Sequence, residues 1–187
     1  ITVYGTSVAA PISDIVIDGN EIYDCDPAKS EALVLNGNIS GFKVTNNYVH
    51  DVNNIGIDFI GGEESICKDP TLVARDGICS GNRVERARSN YGGGFAAGIY
   101  VDGGKNITIE KNVVTECDMG IEIGAENKTA NSTGIIVRDN LIYLNDKAGI
   151  AFGGYSKKTG TVTGCRFENN ICYKNTAHKK ANAEIWI

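Results

Sequence analysis

The chain has 187 residues, 42% of them hydrophobic, which is enough for one buried core and too apolar for a disordered segment. A net charge of −5 with scattered Lys and Arg excludes the basic stripe that phosphate binding needs, so no nucleic-acid partner is expected. No apolar run approaches the roughly 20 residues of a membrane span, and the six cysteines (Cys25, Cys67, Cys79, Cys117, Cys165, Cys172) lack metal-site spacing.

In chain order, one pattern recurs six times: IVIDGNEI, FKVTNNYV, GICSGNRV, ITIEKNVV, IIVRDNLI and CRFENNIC. Each copy carries an asparagine (Asn20, Asn47, Asn82, Asn112, Asn140, Asn170), followed two positions later by Ile22, Val49, Val84, Val114, Ile142 or Cys172. Alternation around each Asn is a period-2 strand pattern, and asparagines stacked coil over coil can satisfy one another's amides. Between these copies fall ALVLNG, GIDFIGG, GIYVDGG, GIEIGA and GIAFGG, with Leu33, Ile57, Ile99, Ile121 and Ile150 facing inward. The prediction is an all-β, right-handed parallel β-helix of about six coils with an Asn ladder, a single domain over 1–187. Ile1 and Ile185 share the phase of Ile57, so the chain is expected to be an excerpt of a longer solenoid whose ends would need caps. Cys79, Cys165 and Cys172 are expected in the core and Cys67 in a loop, with disulfide pairing left open.

Aligning the second strand set places Thr2, Val34, Asp58, Tyr100, Glu122, Ala151 and Trp186 in one outward column, with Asn36, Ile60, Asp102 and Gly124 in the next. Coils ~4.8 Å apart put the Asp58 and Glu122 Cα atoms about 9.6 Å apart, and Asp102 about 8 Å from either. Asp102, Glu122 and Asp58 are therefore candidate catalytic carboxylates, because splitting an acetal takes one protonated and one ionised carboxyl group. The bland alternative is a row of solvated surface charges that guards against aggregation. The coil from Ile57 to Ile99 takes 42 residues where the next, to Ile121, takes 22. The excess falls in EESICKDPTLVARDG and ERARSNYGGGFAA, which are expected to wall the acidic face. Tyr100, Tyr91 and Glu126 are candidate substrate contacts, with Lys105 and Arg88 as the nearby cations; Phe95 is read equally as a stacking ring or a core anchor. Lys105, among carboxylates, is expected in a structural ion pair. Calcium is a candidate cation for Asp58 and Glu63, with Asp102 and Glu126 nearby; no cofactor is otherwise required. His50 reads as an ordinary outward residue aligned with Tyr23, Glu85 and Tyr143.

The Asn ladder with its G-I-x-I/V strands resembles the right-handed β-helix superfamily of pectate lyases and related carbohydrate-active proteins over essentially the whole chain. Within it, NIGID at 54–58 and GIEIGA at 120–125 resemble the calcium and catalytic-lysine segments of polysaccharide lyase family 9. Only Asp58 matches a calcium-ligand aspartate, and Glu122 stands where the lysine base would be. The acidic pair is also similar to β-helical glycoside hydrolases of families 120 and 141, which implies Asp102 as nucleophile or base and Glu122 as acid. The expectation is a secreted or cell-surface, monomeric glycoside hydrolase acting on polysaccharide. Two alternatives stay open: a calcium-assisted lyase using Lys105, Arg86 or Arg88 as base, and a non-catalytic glycan-binding solenoid.

Overall fold

The computed structural model describes residues 1–27, 30–153, 156, 158–175 and 183–187. Among these residues the regular structure is entirely β and almost entirely parallel, in three sheets that run along the axis of a right-handed β-helix. The first sheet has seven strands: Thr2–Gly5, Leu33–Gly37, Ile57–Ile60, Ala97–Asp102, Met119–Gly124, Ala148–Phe152 and Ala183–Trp186. The strands of the second sheet are broken into short pieces, such as Ile39–Ser40 and Lys43–Thr45. The third sheet stacks Glu21–Cys25, Tyr48–Asn53, Arg83–Arg88, Val113–Thr115, Leu141–Tyr143 and Ile171–Tyr173.

The ladder forms as expected. Asn20, Asn47, Asn82, Asn112 and Asn140 each donate Nδ2–H to Oδ1 of the next asparagine, at 2.9–3.0 Å. Each accepting Oδ1 also takes the backbone N–H of the asparagine before it. The second amide proton goes to a backbone carbonyl, for example from Asn82 to Val44 and from Asn112 to Cys79. A buried amide is thereby saturated, and the turn between the second and third sheets closes without orphaned groups.

Three corners per coil share a further device. The residues six before, one before and four after every ladder asparagine adopt left-handed φ, all eighteen of them, from Asp14, Gly19 and Asp24 to Gly164, Asn169 and Lys174. Each bends its strand toward the axis at a fixed phase. Thirteen of these are not glycine and include Arg86, Leu144 and Lys174, so neighbouring structure holds them where L-residues are disfavoured by about 1 kcal/mol or more each.

The inward residues interlock in one apolar stack along the axis, including Leu33, Ile57, Ile99, Ile121 and Ile150 beside Val49, Val84, Val114 and Ile142. Cys79 is buried in this stack, Cys165 and Cys172 pack against it, and Cys67 is buried in a loop; all six thiols are free. The two read-out loops are shorter than expected. Ala74–Ser80 and Arg83–Arg88 are ladder-flanking strands, so the projecting segments shrink to 61–73 and 89–96. Bends at Asp76 and Arg86 hide the strand character of VARDG and ERAR.

Asn112→Ala would orphan the Asn82 backbone N–H and the Cys79 carbonyl in the interior, an expected loss of about 3 kcal/mol in urea unfolding. Asn20→Ala, at an exposed position, should lose less than about 1 kcal/mol; equal losses would contradict a ladder held by burial.

Candidate active-site cleft

The first sheet pairs Thr2 with Val34, Val34 with Asp58, Asp58 with Tyr100, Tyr100 with Glu122, Glu122 with Ala151 and Ala151 with Trp186, which is the outward column read from the sequence. Asn36, Ile60, Asp102 and Gly124 align in the next. This face is not a solvated row of charges. Asp58 is 1% exposed, Asp102 5% and Glu122 8%, because the loops fold back over it.

Each covering loop has an identifiable anchor. In segment 61–73, Ile66 and Cys67 lie over Gly37, where a side chain would collide with the Gly5 carbonyl at 2.7 Å. Glu63 accepts a hydrogen bond from Asn36 Nδ2 at 2.7 Å. Segment 125–131 leans toward the amino-terminal coils, placing Ala130 against Gly62 and Gly103. Its Glu126 backbone N–H donates to Asp102 Oδ1. Segment 89–96 is tied at both ends by one side chain, since Asp118 Oδ2 accepts N–H groups from Ser89 at 2.8 Å and Ala96 at 3.1 Å. Lys147 supports its middle, donating Nζ–H to the Gly93 carbonyl at 2.5 Å with its ammonium 3.1 Å from the Phe95 ring centroid.

Between these loops lies a cleft of about 260 Å³, lined by Glu31, Glu122, Glu126, Tyr91, Phe95 and Tyr100 among others. It adjoins a larger apolar hollow of about 560 Å³, which shares Phe95 and Glu122 and extends past Met119 and Phe152 to Trp186. Tyr100 packs the phenol end of its ring against Gly124, where a Cβ would stand 2.6 Å from the phenolic oxygen. Its hydroxyl reaches Glu126 Oε1 at 3.4 Å.

The residues predicted for the site divide. Glu122, Glu126, Tyr91 and Tyr100 meet in the cleft, whereas Asp58, beside Tyr100 in the column of Glu122, and Asp102, in the adjacent column, are buried on the same sheet face and do not line it. Sequence reading missed Glu31, which enters one residue before the strand motif ALVLNG, and it missed the tethers Asp118 and Lys147. Lys105 opens a strand of the second sheet, paired with Arg75 and Thr133, and has no ion pair with the acidic cluster among the described residues. Arg88 binds Asp146 at 2.8 Å, and Arg86 clasps Asp51 and Glu85 on the third sheet. His50 lies in its expected column beside Tyr23 and Glu85. Glu63 is committed to Asn36, and among the described residues no three acidic, His or Cys side chains converge to hold a metal.

Burial dominates the electrostatics. Desolvation pushes Asp58 well above the usual carboxylate range, helped by Glu31 and Asp102. Desolvation likewise carries Asp102 up to about 7, against the lowering effect of the Glu126 N–H and with the added repulsion of Glu126, Glu63 and Glu31. Glu31 is raised by burial, opposed by its bond from Ser30 and reinforced by Glu63 and Glu126.

A carboxyl group that holds its proton more tightly folded than unfolded stabilises the fold in acid and penalises it once ionised. The Asp102 contribution is thus most favourable below about pH 4 and is lost as pH rises to about 7. Asp102→Asn keeps an acceptor for the Glu126 N–H and cannot ionise. Its stability relative to wild type should rise by on the order of 3 kcal/mol between pH 4 and pH 8 in chemical unfolding; a difference that does not change with pH would remove the assigned ionisation.

A family model for the right-handed β-helix region matches residues 2–130 and 75–185. An uncharacterized protein, YwoF of Bacillus subtilis (strain 168), is 41% identical over 164 residues, covering 85% of this chain and 35% of its own length. The chain thus spans about a third of that relative. The crystal structure of the periplasmic alginate epimerase AlgG superposes with a TM-score of 0.62 at 13% identity, over 93% of this chain and 39% of that one; the likeness is one of fold. With coils, corners and ladder as described, the chain belongs to the right-handed β-helix family.

Proposed function

We propose that this chain is the catalytic solenoid of a secreted or cell-surface glycoside hydrolase that acts on a polysaccharide. The observation that carries the reading is one cleft lined by three carboxylates and three aromatic rings, in which burial holds Glu31 toward its protonated form. Acetal cleavage needs this division: an acid to protonate the leaving oxygen and an ionised group to attack or to activate water. Glu31 is the acid. Glu122, fixed on the strand Met119–Gly124, is the nucleophile or base. Their coils are three steps apart, about 14 Å between Cα rows, and two glutamate side chains extended toward each other bring this within the range of catalytic pairs. Asp58 and Asp102, assigned to catalysis from sequence, serve instead as the acidic floor that maintains the proton affinity of the cleft.

Tyr91 and Phe95 supply apolar faces for sugar rings. The continuation of the cleft past Met119 toward Trp186 follows the solenoid axis, which suits a polymer better than a single sugar. The fold shared with an alginate epimerase supports a glycan as the class of ligand. The lyase reading is weaker because Lys105, Arg86 and Arg88 are placed or paired elsewhere.

Glu31→Gln and Glu122→Gln in the intact protein should each lower release of reducing ends by 100-fold or more, on the order of the contribution of a positioned acid or base, with binding of the same polysaccharide retained. Unsaturated, ultraviolet-absorbing products would establish a lyase. Binding with no cleavage of any polysaccharide would establish a carbohydrate-binding module.

A further inference from the structure

One residue of segment 89–96, Phe95, lines both the cleft and the apolar hollow beside it, and its ring is half-exposed. The segment joins two rigid strands, Arg83–Arg88 and Ala97–Asp102, yet none of residues 89–95 belongs to the apolar core. Its tip is bonded to itself: Ser89 Oγ donates to the Tyr91 carbonyl at 2.7 Å, and the Gly94 N–H donates to the same oxygen at 3.2 Å. Gly92, Gly93 and Gly94 all take left-handed φ, which permits that tight reversal. Both ends of the segment meet at one atom, Asp118 Oδ2, through the Ser89 and Ala96 N–H groups. Beyond that clasp it is attached by polar contacts, among them the Asn90 N–H to Asn53 Oδ1 at 3.1 Å and Lys147 to the Gly93 carbonyl and the Phe95 ring. A segment held by a few hydrogen bonds, with almost no apolar surface buried in the core, opens at a small fraction of the cost of global unfolding. Ends pinned at one point let it swing without disturbing the strands on either side.

Resting on the reading of this cleft as a glycan site, we propose that segment 89–96 is a strap that opens as one unit on the Asp118 clasp and closes over a polymer lying along the solenoid axis. In the closed position Phe95 divides the groove into the cleft of about 260 Å³ and the hollow of about 560 Å³, so a chain that spans both enters with the strap raised. Closing brings Tyr91 and Phe95 onto the chain and removes water from around Glu31 and Glu122, which line the same cleft. Asp118 is the hinge and Lys147 the latch. Neither lines the cleft or the hollow, so both are positioning residues. The latch holds the closed state through an ammonium–carbonyl bond and an ammonium–ring contact. Methionine in its place would keep an unbranched stem and lose both.

The test is amide hydrogen exchange of the intact protein at pH 7, read by NMR at the hydrogen-bonded amides of Ser89, Asn90, Gly94 and Ala96. It is run on wild type, Lys147→Met and Asp118→Asn, free and with hexamers of xylan, cellulose and galacturonan whose binding is measured separately by calorimetry. In the free wild type these four amides should exchange together, at least roughly tenfold faster than those of Arg83–Arg88 and Ala97–Asp102. Lys147→Met should speed them several-fold more and leave both strands unchanged. Asp118→Asn, which keeps an acceptor and loses the charge, should speed Ser89 and Ala96 most. A bound hexamer should slow all four by roughly tenfold, and less so in Lys147→Met. Exchange as slow as that of the flanking strands, exchange unmoved by both variants, or a bound hexamer that leaves the four amides unprotected would each overturn the proposal. Opening in a protein that binds none of the hexamers upholds the hinge and overturns the glycan reading alone.

Discussion

A side-chain amide sealed inside a protein must find partners for two N–H groups and an oxygen, and in this chain that requirement sets the period of the molecule. Each ladder asparagine is satisfied only if the coil above and the coil below present an asparagine at the same phase. Chain may be added between one rung and the next, as the 35 residues from Asn47 to Asn82 show against the 27 from Asn20 to Asn47, but it must leave and return without changing the phase. The left-handed residues at three constant offsets follow from the same demand, because the corners must recur wherever the rungs do.

The cleft inherits its floor from this periodicity and its walls from the exceptions to it. Parallel register stacks Asp58, Tyr100 and Glu122 on rigid strands, and segments 61–73, 89–96 and 125–131 then remove that face from water. Burial turns an ordinary row of carboxylates into groups that hold protons near neutral pH. The same desolvation destabilises the fold whenever those groups ionise, so proton retention and stability are coupled on this face.

The fold was legible because both of its signals are periodic: the asparagine once per coil and the apolar alternation around it. The strand columns were legible for the same reason, and parallel pairing carried the reading through Asp58, Tyr100, Glu122 and Asp102 without a slip. Glu31 was not legible, since it precedes its strand and lies outside the repeat, and its place in the cleft depends on loop segments such as 89–96 that no repeat announces. Burial of the acidic face was hidden for a related reason: tethers such as Asp118 to Ser89 and Ala96 join residues 29 and 22 apart with no repeat to announce them. Left-handed Arg86, Glu116 and Leu144 carry no residue preference for that conformation, so only asparagine, aspartate and glycine corners could be suspected. One signal was present and unread. Asn145 and Asn175 each follow a ladder asparagine by five positions, and they bond to each other at 2.8 Å in a short second ladder, where earlier coils have Cys117, Ala87 and Val52.

The five side-chain bonds of the main ladder all point the same way along the solenoid. Strand dipoles alternate and largely cancel across a sheet, but these amides are aligned head to tail from Asn20 to Asn170. Their partial charges add as peptide dipoles do in an α-helix, leaving the oxygen end of the row toward the first coil and the N–H end toward the last. The ladder therefore gives the molecule an electrical polarity, an internal axial field in which each amide polarises the next, beside its role in closing the turns.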